Sequence, residues 1–469
     1  MNGSTAPELA AGFEAMRAAS RANPYPDHSL RVDRIRRLEA MTVSAERRLC
    51  DAISADFMGR SRVETQLAEV MTTLSAARYT RRNLKRWMRV RRAPTALHFL
   101  PLKNRIMPQP LGVIGIVAPW NYPYNLCIIP MISAFAAGNR AMLKPSELVP
   151  ATSGLVGELI AERFDADEAA VITGGPDIGE AFVSLPFDHI FFTGSTRVGA
   201  VVAMAAARNL TPATLELGGK CPAIVDPSAD LDQALRHIAY AKTLNAGQTC
   251  IAADYALVPH EMIAPFADKL SARLSQMFPA IAGNDDYSAQ ISDRHHRRLR
   301  DMLDEAEQKG ARIIRPVPDG DGRKMAPVIV TDVPEDCALR REEIFGPILP
   351  ILPCDTADDA IATVNAGERP LALYWFGRDK AVERRILQET WAGGVTINDC
   401  VVQFAQEGLP FGGIGRSGTG HYHGRFGFET FSKLKPVTSR PRGPDGTLLF
   451  HPPYGPITRA MVSALKRVI

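Results

Sequence analysis

The chain has 469 residues, 46% of them hydrophobic and 23% charged, with a net charge of +4. That composition excludes disorder and collagen, and the length asks for two large domains rather than one core. So mild a charge lacks the concentrated basic footprint of a nucleic-acid binder.

The first residues, Met1-Asn-Gly-Ser-Thr-Ala-Pro-Glu, have neither the basic nor the apolar region of a signal peptide. Residues 7–92 read as covering helices, with inner faces marked by Leu38, Met41, Leu49, Ile53 and Phe57, then by Leu67, Val70 and Leu74. Arg78, Arg81, Arg82, Lys85, Arg86 and Arg89 recur on one helical face. With no nucleic-acid motif beside it, this run reads as a solvated or interface stripe; a membrane-surface role is the sharper alternative. Residues 93–110 carry four prolines and alternating apolar residues, which predicts an exposed hairpin or arm.

Beyond residue 111 strand-length apolar runs alternate with helix-length stretches. The first set is 112–118, 139–143, 170–173, 189–193 and 213–217. A second set is 223–225, 256–258, 313–314, 328–331, 372–376 and 395–397. This alternation predicts two α/β units with parallel, doubly wound sheets, meeting near Gly218-Gly219. The longest apolar stretch, 126–137, holds Pro130 and is too short to span a bilayer, as is the amphipathic final helix at 457–469. Seven scattered cysteines, an odd number without C-x-x-C spacing, indicate a reducing, cytoplasmic setting and no zinc site.

Cys250 sits in Asn245-Ala-Gly-Gln-Thr-Cys-Ile, with Glu216 upstream in Glu216-Leu-Gly-Gly-Lys as a candidate base. A thiol in that company reads as a nucleophile, although a lone cysteine is more often small apolar filling. Pro119-Trp-Asn-Tyr-Pro123 closes a strand where open α/β sheets build their sites. The Asn121 amide there would stabilise an oxyanion; alone, the segment is a turn. Lys144-Pro-Ser-Glu147 offers a cation and a carboxylate to ribose hydroxyls, or a surface ion pair. Phe191-Phe-Thr-Gly-Ser-Thr-Arg-Val-Gly199 follows a strand and opens a helix, placing Gly194 and Ser195 where a pyrophosphate would meet the helix mouth. The literal G-x-G-x-x-G at Gly413, Gly415 and Gly418 follows a polar loop and precedes no βαβ unit, so it reads as a flexible loop near the active site.

In order, Trp120-Asn121-Tyr-Pro, Lys144-Pro-Ser-Glu147, Phe192-Thr-Gly-Ser195, Glu216-Leu-Gly-Gly219, Gly247-Gln-Thr-Cys250, Glu343-Ile-Phe-Gly-Pro347 and Asn398 resemble the aldehyde dehydrogenase superfamily across residues 110–430. Gln-Thr-Cys-Ile-Ala and Leu409-Pro-Phe-Gly-Gly-Ile-Gly-Arg-Ser-Gly-Thr-Gly-His-Tyr-His-Gly424 are similar to its class 3 branch. Leu449-Phe-His-Pro-Pro-Tyr-Gly455 is similar to the bacterial coniferyl aldehyde dehydrogenases within that branch.

The resemblance implies an aldehyde dehydrogenase-like α/β fold. A Rossmann-type cofactor domain would span 1–95 and 112–219, and a second α/β catalytic domain 220–417. A small oligomerisation arm and tail, 96–111 and 418–469, would build a homodimer. It implies Cys250 as nucleophile, Glu216 as the base for hydrolytic water, and Asn121 with the Cys250 N–H as oxyanion donors. Trp120, Lys144, Glu147, Gly194, Ser195, Val198, Leu217, Glu343 and Phe345 would bind the cofactor, and Asn398 would lie near the substrate. The cofactor is expected to be NAD, with NADP second, because Glu147 would repel a 2′-phosphate. Glu216 argues for release of a free acid rather than coenzyme A acylation.

The substrate expected is an aryl-propenal such as coniferaldehyde, or a medium-chain aldehyde, with Trp120, Tyr122, Tyr124 and Trp375 as a candidate aromatic lining. Two other classes stay open: a cysteine-dependent esterase or thioesterase, which needs a histidine base, and a non-catalytic member of the fold.

Overall fold

The computed structural model describes residues 5–442 and 446–468. Met1–Ser4, where the N-terminal reading begins, and Ile469, at the end of the last helix, lie outside the described residues. Helices Ala6–Ala22, His28–Phe57 and Thr72–Trp87 dominate the first part of the chain. Their inner faces differ in part from expectation. Leu67 is exposed and Leu74 half-buried, whereas Thr65, Glu69, Thr73 and Thr80 point inward. The reason is the π-helical segment Gln66–Met71, which rotates the following turns and brings a polar stripe inside. On the basic face, Arg78 and Arg81 both pair with Glu39.

The arm begins with β1 (Arg91–Ala93) and β2 (Lys103–Pro110), an antiparallel hairpin. The first large sheet follows with β3 (Val113–Val117), β4 (Arg140–Lys144), β5 (Ala169–Val171), β6 (His189–Thr193) and β7 (Ala213–Glu216), all parallel. The chain then crosses through Gly218-Gly219 into a second sheet. It contains β8 (Pro222–Val225), β9 (Tyr255–Val258), β10 (Arg312–Ile314), β11 (Val328–Thr331), β12 (Ile348–Pro353), β13 (Ala372–Phe376) and β14 (Gly394–Ile397). Only β10 runs antiparallel there. Two further strands return elsewhere: β15 (Gly418–Thr419) edges the first sheet beside β7, and β16 (Ser432–Ser439) pairs with β2 along eight residues.

Strands β6, β8, β9, β11 and β13 are buried at every position, as sheets covered on both faces require. The helix Asn125–Ala137 is buried at all 13 residues and seals one face of the first sheet. Asn139 joins the arm to that sheet: its Oδ1 accepts from Leu111 N at 2.7 Å and Gly112 N at 2.9 Å, while its Nδ2 donates to Phe431 O at 2.8 Å. In the first sheet the spatial order is β15-β7-β6-β3-β4-β5. Consecutive connections therefore leave β3 and β6 on opposite sides and open a crevice at their carboxyl ends, where such sheets bind ligands.

Candidate active site

The loop leaving β3 carries Trp120 and Asn121, and three side chains set its position. Arg60 Nη1 donates to Asn121 O at 2.9 Å, and Asn245 Nδ2 donates to the same oxygen at 3.0 Å. The Asn121 amide donates to Gln248 O at 3.2 Å, which turns it toward the cysteine loop. Arg60 is itself held in a fully buried pair with Glu69 at 3.2 Å. The other Glu69 oxygen accepts the N–H groups of Tyr124 at 3.1 Å and Asn125 at 2.7 Å. Neither Arg60 nor Glu69 was expected as part of the site; the available signal was two charged residues flanking a helical start.

Ahead of Cys250 the backbone enters the left-handed region three times running, at Asn245 (φ 51°), Ala246 (φ 49°) and Gly247 (φ 75°). A Cβ at Gly247 would fall 2.3 Å from Gly346 O, so no side chain fits there. Gln248 locks the turn, donating to Asn245 O at 2.9 Å and Ala289 O at 3.0 Å while accepting from Ile291 N at 2.9 Å. The Cys221 thiol donates to Cys250 O at 3.4 Å. Burial, and then the charges of Glu343 and Glu216, push the Cys250 thiol up to about 12. The N–H groups of Cys250 and Ile251 act on the sulfur in the opposite direction.

Glu216 ends β7, is buried, and leaves both carboxylate oxygens without a hydrogen-bond partner. Burial raises its pKa well above the usual carboxylate range. Gly418 stands in register with Glu216, and Leu217 N donates to Ser417 O at 3.0 Å. The G-x-G-x-x-G run is thus a fixed strand partner of the glutamate. The glycines at 413 and 418 pack against backbone where a Cβ would collide, so the run needs glycine there.

Glu343 packs on Gly218 so closely that a Cβ there would lie 2.3 Å from its Oε1. Burial and the neighbouring Asp254 raise the Glu343 carboxyl to about 7. Phe345, at φ 51°, meets the edge of Trp120 with centroids 5.4 Å apart.

These residues converge. An inner cavity of about 240 Å³ is lined by Trp120, Asn121, Glu216, Cys250, Glu343 and Phe345, with Gly194, Ser195 and Leu217 completing its wall. It adjoins a cleft of about 730 Å³ lined by Lys144, Glu147 and Val198, again with Trp120, Gly194 and Ser195. Lys144 is buried, donates to Pro145 O at 2.9 Å and lies 3.8 Å from Glu147.

Two residues of the expected aromatic lining lie in the core instead. Trp375 and Tyr124 are core residues, 1% and 0% exposed, and the Tyr124 hydroxyl bonds Thr42 at 2.7 Å. Asn398 lines neither cavity; its amide donates to Gly377 O at 3.0 Å and its Oδ1 accepts from Gly377 N at 2.9 Å, tying β14 to the end of β13. The sequence reading also missed Thr193, Arg197, Arg294, His295, Arg297 and Arg298, which line the cleft. The basic run at 294–298 looks in sequence like any exposed amphipathic helix.

The cleft fits a dinucleotide on its own chemistry. Ser195 caps the helix Thr196–Arg208, accepting from Val198 N at 3.4 Å. Gly194 lies against Phe192 with no room for a Cβ, and the buried Thr193 hydroxyl has no partner. Free donors at a helix mouth suit a phosphate.

The model of the aldehyde dehydrogenase family matches residues 3–437, and the chain belongs to that family, whose members are oxidoreductases acting on aldehydes with NAD(P). It is 46% identical over 458 residues to a probable coniferyl aldehyde dehydrogenase of Pseudomonas aeruginosa, covering 98% of this chain and 96% of that one. It is 40% identical over 466 residues to the coniferyl aldehyde dehydrogenase of Pseudomonas sp. strain HR199, covering 98% and 96%. Among solved structures, the substrate-bound Staphylococcus aureus AldH superposes with a TM-score of 0.93 at 36% identity, covering 97% of this chain and 99% of that one.

Proposed function

We propose that this protein oxidises an aryl-propenal such as coniferaldehyde, with medium-chain aldehydes as the second class, to the free acid through a thioester on Cys250. The observation that carries the reading is one cavity shared by the Cys250 sulfur, the Asn121 amide and the Glu216 carboxyl. The relatives named for coniferyl aldehyde support the substrate.

Cys250 adds to the aldehyde carbon as thiolate, giving a tetrahedral thiohemiacetal; dividing the oxidation this way replaces one hard step by easier ones. Charge then gathers on the former carbonyl oxygen, where the Asn121 amide and the Cys250 N–H donate. One such side-chain donor is worth about 2.7–4 kcal/mol in a comparable site. The bound dinucleotide supplies the hydride acceptor. Lys144 and Glu147 hold its adenosine ribose, Gly194, Ser195 and Val198 its pyrophosphate, and Trp120, Leu217, Glu343 and Phe345 its nicotinamide end. Glu147, 46% exposed beside Lys144, would accept bonds from a 2′-hydroxyl and favour NAD over NADP. Glu216 then takes a proton from the water that cleaves the thioester.

In this reading 1–95 and 112–219 form the NAD(P)-binding domain and 220–417 the catalytic domain, with 96–111 and 418–469 building a homodimer. Seven free cysteines suit a cytoplasmic setting. An esterase reading is weaker, because no histidine among the described residues hydrogen-bonds Cys250. The test is NADH production from coniferaldehyde, benzaldehyde and aliphatic aldehydes of increasing length, each with NAD and NADP. Turnover by wild type with coniferaldehyde ahead, and none by Cys250→Ala, is expected. Ester hydrolysis without any NADH formation would overturn the reading.

A further inference from the structure

Ser61-Arg-Val-Glu64 has the spacing of a capping box, in which the glutamate reaches back to the N–H of the serine. Only half of that box forms. Ser61 Oγ accepts from Glu64 N at 3.2 Å, but the Ser61 N–H makes no bond to the Glu64 carboxylate. The carboxylate turns across the molecule instead. Its two oxygens share the Asn245 N–H at 3.2 Å each, and one of them also accepts from Ser288 Oγ at 2.8 Å. Asn245 and Ser288 both lie beyond the Gly218-Gly219 crossing, so a side chain of the N-terminal helices holds the second half of the chain. Two further contacts flank it: Ala289 N donates to Gly59 O at 2.9 Å, and Arg323 Nη2 to Phe57 O at 3.1 Å.

Asn245 opens the left-handed run that leads to Cys250, and residues other than glycine keep such dihedrals only where their surroundings fix them. The helix Leu231–Thr243 closes with Leu244 N on Tyr240 O, so the next N–H, that of Asn245, needs an acceptor from outside. Glu64 supplies it. With its backbone fixed, Asn245 directs Nδ2 to Asn121 O at 3.0 Å and to Gln248 O at 3.2 Å, the oxygen to which Asn121 Nδ2 also donates at 3.2 Å. One residue therefore sets both the oxyanion amide and the loop that carries the sulfur. Glu64 itself lines neither the inner cavity nor the cleft.

We propose that Glu64 is a positioning residue for aldehyde oxidation, a clasp from the N-terminal helices that holds Asn245 and through it keeps the Asn121 amide and the Cys250 N–H aimed at one oxygen. This role rests on the reading above in which those two groups donate to the aldehyde oxygen, and adds to it the side chain that aligns them. Donors placed in advance act without reorganising as charge develops, and a shift of about 1 Å in such groups costs on the order of 100-fold in rate. Position, rather than charge, is what Glu64 contributes. Glutamine in its place keeps a carbonyl oxygen for Asn245 N and offers an amide to Ser288 Oγ, which accepts as well as donates.

NADH production, calorimetry and amide exchange on the full-length chain test the clasp with Glu64→Ala, Glu64→Gln and Ser288→Ala. Glu64→Ala is expected to lower kcat by about tenfold or more while affinity for NAD and for its fragment ADP stays within error. Glu64→Gln is expected to stay within about threefold of wild type, and Ser288→Ala to fall between the two. In an Asn121→Ala background, where the amide that Glu64 aligns is gone, Glu64→Ala is expected to add about threefold at most. Exchange of the amides of 244–251, read by mass spectrometry without aldehyde, is expected to quicken about tenfold or more in Glu64→Ala and to match wild type in Glu64→Gln. Should Glu64→Ala fail to fold, Glu64→Asp, one methylene shorter, carries the same comparisons. Results that would overturn the clasp are an unchanged kcat in Glu64→Ala, an equal loss in Glu64→Gln, a loss shared by NAD affinity, an undiminished loss in the Asn121→Ala background, or exchange at 244–251 that does not respond. An enzyme that oxidised no aldehyde yet showed this exchange pattern would sink the catalytic reading and leave the clasp standing.

Discussion

Cys250 lies where its own surroundings oppose ionisation, and the largest opposing charge is Glu343. Because burial and Asp254 raise Glu343 to about 7, that opposition exists mainly above neutrality, where the carboxylate is ionised. Glu343→Gln removes it. At pH 8–9 the thiolate fraction of Cys250 rises, and alkylation by iodoacetamide is expected to quicken. Below pH 6 the variant and wild type are expected to react alike, since Glu343 is then neutral in both. A variant no faster than wild type at pH 9 would remove Glu343 from control of the thiol. Glu216 follows the same logic with a different readout. Burial holds its proton, so its basic form grows as pH rises, and thioester hydrolysis is expected to climb with pH until Glu216 is ionised. Glu216→Gln is expected to accumulate an acyl adduct on Cys250, visible by intact mass spectrometry with aldehyde and NAD. Absence of the adduct at a lowered turnover rate would assign the slow step elsewhere.

The helices ahead of the first sheet support the site through one buried ion pair. Glu69→Gln removes the carboxylate that pairs with the Arg60 guanidinium in a place with no solvent, and breaking such a pair costs about 3–5 kcal/mol. Denaturant unfolding is expected to show that loss. Replacing both partners together, Arg60→Met with Glu69→Leu, is expected to recover most of the stability, because two apolar groups need no partner. Turnover is not expected to recover with it, since Asn121 O would lack its Arg60 donor. Recovery of both would reduce the pair to a structural role.

This support was not legible in the sequence. A glutamate and an arginine nine residues apart look like surface charge until the π-helical turn carries one of them inward. Strand β12 was missed for a related reason: Pro350 and Pro353 in Ile-Leu-Pro-Ile-Leu-Pro argue against a central strand. There, apolar burial of Ile348, Leu349, Ile351 and Leu352 outweighs the missing donors. The strands leading to Asn121 and Gly194, and the one ending in Glu216, were readable because each is a short apolar run ending in a turn, the pattern a parallel sheet imposes. His295 and the arginines beside it gave no such signal, because cleft-lining and solvent-facing turns of a helix have the same composition.

At the scale of the molecule, the sheet formed by β1, β2 and β16 stands apart from the two large sheets. The exposed hairpin expected at 93–110 is there, and the chain's last strand lengthens it, pairing from Ser432 opposite Pro110 to Ser439 opposite Lys103. Along β16 only Ser432 is buried, and β2 buries only Pro108. Three strands with so little burial are marginal alone, and a long open edge invites pairing with another chain. A second copy completing this sheet answers both problems. Light scattering is then expected to give a mass about twice the 51.1 kDa of one chain. Two truncations separate the parts. A chain cut after Ser439 keeps the β2–β16 ladder but loses the helix Pro456–Val468, and is expected to remain dimeric if the ladder carries the contact. A chain cut after Phe431 exposes the full β2 edge and is expected to become monomeric or aggregate. Every residue lining the active-site cavities precedes that cut, so ADP binding by the monomeric fraction is expected to persist. A monomeric wild type, or a dimer lost on removal of the final helix alone, would transfer the contact from the sheet to another surface.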